Sequence, residues 1–124
     1  MKNSKVVILG LTFKENCPDT RNSKVVDVIR RLEEYGVKPV VIDHWADPEI
    51  AMHEYGVDLK SMDDAVNADC IIVAVAHNEF RAMSLDELKL FFKADPDEEK
   101  ILIDVKGLYN ISELKKSGIH WWRL

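Results

Sequence analysis

The sequence predicts an α/β fold, a parallel β-sheet held between two layers of helices. Three observations point there. Lys5–Gly10 (KVVILG), Asp69–Ala76 (DCIIVAVA) and Lys100–Asp104 (KILID) are runs of Val, Ile and Leu without polar alternation. Strands covered on both faces have this composition. Segments with helical spacing fall between these runs, the alternation that builds parallel sheets. The length of 124 residues, 47% hydrophobic and 31% charged, suits a single globular domain over residues 1–124. Together they predict a three-layer αβα sandwich, a Rossmann-like doubly wound sheet of five or six strands. The expected strand order is 3-2-1-4-5-6 if a short third strand forms, with 2-1-3-4-5 as the alternative.

Each element has its own signal. Lys5–Gly10 is the first buried strand, ending in Gly. Leu11–Arg21 is a polar loop containing Pro18, and Asn22 or Ser23 can cap the helix after it. That helix, Lys24–Tyr35, places Val25, Val28, Ile29 and Leu32 on one face and stops at Gly36. Val37–Asp43 is the second strand, with Pro39 near its start. Asp47 and Pro48 open a helix to about Tyr55, as cap and first helical residue. Val57–Leu59 is a minimal edge strand, and Ser61–Asn67 a short helix with Asp64 in the capping-box position.

Asp69–Ala76 is the best central strand, and Asn78–Met83 a helical turn. Ser84–Lys93 is a helix capped by Ser84 with Glu87 in reciprocal position. Ala94–Glu99 carries four carboxylates in six residues and is expected to be a solvated loop. After the strand Lys100–Asp104 come a helix, Ile111–Ser117, and a terminal strand, Ile119–Arg123, whose alternation turns one of Trp121 and Trp122 inward.

Composition excludes several classes. The net charge of −5 argues against a general nucleic-acid binder. No apolar run approaches the roughly 20 residues that span a bilayer, and the polar start carries no secretory pattern. Two cysteines, Cys17 and Cys70, make neither a disulfide framework nor a metal-ligand spacing. The expectation is a cytoplasmic protein without a metal, a nucleic-acid partner or a membrane partner.

Open parallel sheets bind ligands beyond the carboxyl ends of their strands. Thr12, Phe13, Lys14 and Arg21 follow the first strand, and Asp43, His44 and Trp45 the second. His77 and Asn78 follow the central strand, and Lys106 and Gly107 the next. Lys14, Arg21 and Lys106, with His44 and His77, thus gather at one edge of an acidic protein. This suits an anionic ligand, aided by the helix N-terminus near Asn22 and Ser23. The fingerprints G-x-G-x-x-G and G-x-x-x-x-G-K-[ST] are both absent. Asp43 stands where dinucleotide-binding domains place a ribose-binding carboxylate, and equally where any strand-end loop residue falls. Cys17 lies beside Lys14 and Arg21 without an assignable general base, and Cys70 belongs to the core.

The segment Gly10–Ser23 (GLTFKENCPDTRNS) resembles the signature G-x-x-F-K-x-x-x-x-D-x-R-x-S of the C-terminal domain of the UDP-glucose/GDP-mannose dehydrogenase family. Ile103–Gly107 (IDVKG) is similar to that domain's later D-x-[KR] segment, and Val-Ile-Asp at 41–43 and Ala-Val-Ala-His at 74–77 extend the likeness. The variants Glu-Asn-Cys-Pro-Asp and Asp-Val-Lys-Gly look closest to members that oxidise UDP-N-acetylhexosamines for surface polysaccharides.

The resemblance implies an NAD-dependent enzyme that oxidises the C6 alcohol of a nucleotide sugar to a carboxylate and works as a homo-oligomer. Its substrate partner is a UDP-sugar, and NAD is held mainly by an N-terminal domain outside this sequence. By position, Phe13 and Lys14 would contact the nucleotide sugar and Arg21 would reach the NAD diphosphate. Lys106, where the family often has Arg, would contact the substrate without the planar fork of a guanidinium. The family's catalytic cysteine lies in a Gly-Gly-x-Cys context that neither Cys17 nor Cys70 has, so no catalytic residue is expected here. The length then corresponds to the last third of an enzyme, inactive alone. The alternative is a standalone nucleotide-binding or regulatory module.

Overall fold

The structure is a computed structural model that describes residues 4–21, 23–94 and 96–123. Five strands form one parallel sheet: β1 (Val6–Leu9), β2 (Val40–Ile42), β3 (Cys70–Val73), β4 (Ile101–Asp104) and β5 (His120–Arg123). Their order is β2-β1-β3-β4-β5, the alternative of the two expected orders. Ile8 pairs with Val41 on one side and Ile72 on the other, so β1 is central along with β3.

The expected strand at 57–59 does not form. Gly56, at φ 66°, closes the preceding helix with its N–H on the Met52 carbonyl. Val57 then turns back to donate to Ala51 and buries its side chain. The segment touches β2 through one backbone bond, Lys60 N–H to Val41 O at 2.8 Å. The apolar residues at 57 and 59 plug the edge of the core instead of extending the sheet.

Among the described residues five helices flank the sheet: α1 (Val25–Glu34), α2 (Pro48–Tyr55), α3 (Asn78–Arg81), α4 (Leu85–Lys89) and α5 (Ile111–Ser117). Asp47 caps α2 by accepting from Glu49 N–H at 2.8 Å, with Pro48 in the first turn, as its sequence signals. Ser84 and Glu87 form the expected reciprocal box on α4. The Ser61–Asn67 segment is a single 3-10 turn, Met62–Ala65, too short to close an α-helical ladder. In the acidic stretch at 94–99, Glu98 and Glu99 are exposed as expected, and Asp95 lies outside the described residues. Asp97–Glu99 form a 3-10 turn, and Asp97 pairs with Lys89 at 3.1 Å and Lys100 at 2.8 Å.

The two faces of the sheet carry two cores. One joins Leu9, Val73, Phe80, Leu88, Leu102 and Leu114 beneath α3, α4 and α5. The other joins Ile8, Val25, Ile29, Val41, Ala51 and Ile72 beneath α1 and α2. Each fully buried Leu, Ile or Phe contributes about 1.5–3 kcal/mol. On the second face α1 and α2 pack on Val6, Ile8, Val41 and Ile72. Beyond them Cys70, Ile101, Ile103 and Trp122 line an open apolar groove of about 480 Å³. Trp121 packs on the core and Trp122 is 53% exposed, the alternation expected of the last strand.

Candidate functional site

A sheet of this order reverses direction between β1 and β3, where connections leave to opposite faces and open a crevice at the carboxyl ends. A cleft of about 430 Å³ lies there, against the first turn of α1. Thr12 and Phe13 enter from the loop after β1, Val75 from the end of β3, and Val105 and Lys106 from the end of β4. Lys24 and Val28 close it from α1.

The backbone shapes this cleft tightly. Gly10 leaves β1 at φ 108°, and a Cβ there would stand 2.6 Å from Val75 Cβ. Only glycine permits that approach. Beyond β4, Asp104 is buried and accepts from Leu108 and Tyr109 N–H, each at 2.9 Å. This carboxylate folds the 105–109 turn that presents Lys106. Ser23 fixes the start of α1, accepting from Val25 N–H at 3.2 Å and donating to Leu11 O at 2.6 Å. Asn22, the other expected cap, lies outside the described residues.

Of the residues singled out in the sequence, Phe13 and Lys106 share the cleft. Phe13 is 54% exposed, an aromatic face left open in a pocket rather than packed. Lys14 follows it, exposed and outside the lining. Arg21 also stands outside, its side chain 85% exposed. Asp19 grips it through Nε at 3.0 Å and Nη2 at 3.1 Å. The hydrogen bond from the Arg21 side chain, and then that from its backbone N–H, hold the Asp19 carboxyl below its ordinary range. The fork orients the guanidinium and leaves Nη1 free for an outside acceptor.

Sequence spacing missed Lys24 and Val28. Val28 was expected on the core face, yet it is 41% exposed and forms part of the cleft wall. Of that face Val25 and Ile29 are buried in one cluster with Ile8 and Ile72, while Leu32 is half-buried. The signal for Lys24 was its place directly after the capping serine.

Two expectations are corrected. His77 does not join the cationic edge, because it is fully buried. Its Nε2 lies 2.9 Å from Asp43 Oδ2 and 3.0 Å from Thr12 Oγ1, and its Nδ1 accepts from Asn16 N–H at 2.8 Å. Asp43 is committed inward too. It accepts from the N–H groups of Leu11 at 2.6 Å, Thr12 at 3.0 Å, Trp45 at 2.7 Å and Ala46 at 2.9 Å, besides His77. Burial raises the Asp43 carboxyl, but these donors outweigh it and leave it below the ordinary range. It is a structural acceptor with no oxygen left for a ribose. His44 does stay exposed, its ring 5.7 Å from Phe80.

The edge therefore does not fit a resident dinucleotide. Leu11–Lys14 brings side chains, not glycines, against the end of β1, and the carboxylate at the ribose position is consumed. Burial, with the Asp69 charge, pushes the Cys70 thiol up to about 11. Among the described residues no group of three His, Cys, Asp or Glu side chains is arranged to hold a metal ion.

Residues 7–111 match the UDP binding domain of the UDP-glucose/GDP-mannose dehydrogenase family. The chain belongs to this family. It is 46% identical over 105 residues to a UDP-N-acetyl-D-glucosamine 6-dehydrogenase of Pseudomonas aeruginosa, covering 85% of this chain and 24% of that protein. It is 37% identical over 124 residues to Protein CapL of Staphylococcus aureus, covering 100% of this chain and 28% of that protein. The crystal structure of an NDP-N-acetyl-D-galactosaminuronic acid dehydrogenase from Methanosarcina mazei Go1 superimposes with a TM-score of 0.77. That match has 24% identity, covers 97% of this chain and 24% of the other, and supports the fold alone. The chain thus spans about a quarter of the length of the curated relatives it matches.

Proposed function

We propose that this chain is the nucleotide-sugar-binding part of an NAD-dependent UDP-sugar 6-dehydrogenase, which oxidises the C6 alcohol of its substrate to a carboxylate. The observation that carries this reading is the cleft at the β1/β3 switch point. It combines an open aromatic face, Phe13, with two cations, Lys24 and Lys106, beside a helix N-terminus. A base or sugar ring can pack on Phe13 while a diphosphate meets the lysines and the α1 dipole. Lys14 lies one residue beyond Phe13 and adds a cation at the rim. The names of the P. aeruginosa and Salmonella typhi relatives, the latter 40% identical, favour a UDP-N-acetylhexosamine as substrate.

In this reading the chain binds and orients, and the chemistry belongs to parts of the enzyme outside it. NAD supplies the hydride acceptor, and it would be held mainly by an N-terminal domain outside this chain. Arg21 contributes an exposed guanidinium, already aimed by Asp19, to a diphosphate presented from outside the chain.

Titration of the ¹⁵N-labelled chain with UDP tests the reading. Amide shifts are expected at Phe13, Lys14, Val75 and Lys106, and Lys106→Ala is expected to weaken binding about tenfold. The chain alone should reduce no NAD with any UDP-sugar. Shifts confined to residues away from the cleft, or an affinity unchanged by Lys106→Ala, would remove the site.

A further inference from the structure

The polar node behind the cleft is more specific than packing requires. The Asn16 N–H can only donate, so the His77 Nδ1 that faces it at 2.8 Å carries no proton. On the other side, Thr12 Oγ1 gives its own proton to Lys14 O at 3.1 Å. Both neighbours of Nε2, Asp43 Oδ2 and Thr12 Oγ1, therefore accept, and Nε2 carries the proton. The ring is neutral and locked in one tautomer.

What this tautomer grips is the loop after β1. Asn16 sits in the left-handed region at φ 54°. Its side chain is paired twice with Asn78, accepting from Asn78 N–H at 2.9 Å and donating to Asn78 Oδ1 at 3.1 Å. The segment 12–16 is thus held at both ends by residues 77 and 78, more than sixty positions away. Between the two anchors lie the exposed side chains of Phe13 and Lys14.

We propose that His77 is a positioning residue for the nucleotide site: its unprotonated Nδ1 holds the Asn16 amide and so fixes how Phe13 and Lys14 are presented. The proposal rests on the reading of the cleft as a UDP site. A loop ordered in advance spares the complex the entropy of ordering it on binding. Without the clamp the sheet remains, and the cost falls on affinity.

Two replacements separate the two ring nitrogens. His77→Asn leaves a carboxamide oxygen near the place of Nδ1 and keeps an acceptor for Asn16. His77→Gln leaves an amide N–H near the place of Nε2, keeps the bond to Asp43, and strands the Asn16 N–H. The measurements on the chain are thermal stability, hydrogen exchange at the Asn16 amide, and the UDP dissociation constant by NMR titration. His77→Gln is expected to lose Asn16 protection by about tenfold and weaken UDP by about fivefold. His77→Asn should stay within about twofold of the parent in both, even where the two variants lose equal thermal stability.

Should neither variant fold, Asn78→Ala works from the exposed side. It removes one pin of Asn16 and should weaken UDP by about twofold at unchanged thermal stability. Equal weakening of UDP by His77→Asn and His77→Gln, or parental affinity in His77→Gln or in Asn78→Ala, overturns the positioning role. A parent chain that binds no UDP overturns the nucleotide reading and this role with it. A parent that binds while the variants break the pattern overturns this role alone.

Discussion

At Gly10 the chain leaves β1 in a conformation that L side chains rarely adopt, directly over Val75. Gly10→Ala therefore combines backbone strain with a contact against Val75 Cβ and its backbone N, 2.9 Å away. A loss of about 2–4 kcal/mol is expected, measured by urea unfolding, with m unchanged. The sequence marks this position well, because a glycine closing a β-branched run needs a reason. Asp43 and His77 were harder to read. Their positions at strand ends were legible, but the direction of each side chain was not. Direction is set by the Leu11, Thr12 and Asn16 amides, which sequence spacing does not bring near them. The same pattern of residues would serve an exposed anion site or a buried clamp.

Elements were legible where a local signal and the tertiary packing agree. The helix α2 has Asp47 accepting from Glu49 and Ile50 N–H, Pro48 in its first turn and Gly56 at its end. Asp47→Ala should cost about 1 kcal/mol, seen as a lowered melting temperature with the sheet intact. Agreement failed at 57–59, where a β-branched residue and a leucine suggested a strand. A strand there needs a ladder along β2, and the turn after α2 supplies a single bond to Val41. The spacing of α1 was right in period and wrong in width. Val28 follows Val25 by three residues, but it stays exposed and forms a wall of the cleft across from Ile72 and Val105. How the helices are shared out over a sheet is a property of topology, which one helix cannot reveal.

For the molecule as a whole, the two strand orders differ only by the edge strand at 57–59, and both put the switch point between the first strand and Asp69–Ala76. That point, between β1 and β3, brings Phe13 and Lys106 into one cleft from segments over ninety residues apart. The same compaction places several carboxylates among donors. Asp43, Asp69 and Asp97 all lie below their ordinary range. For Asp69, burial raises the group, while the Lys5 N–H and Lys93 lower it by more. For Asp97, hydrogen bonds from Lys100 and Lys89 dominate. A carboxylate depressed in the folded chain stabilises it fully above the unfolded value, near 3.8, and that contribution fades as pH falls through the folded value. Stability should therefore be level towards neutral pH and fall steeply below about pH 4. Asp43 is the buried member of this set, so Asp43→Asn isolates it. The variant turns an amide N–H₂ towards backbone donors and leaves at least one of them unmet. It should lose about 2–3 kcal/mol at pH 7. Its denaturation midpoint should also change less between pH 5 and pH 3 than the parent's. An equal acid slope in both proteins would assign the acid sensitivity to the exposed pairs and not to protonation of Asp43.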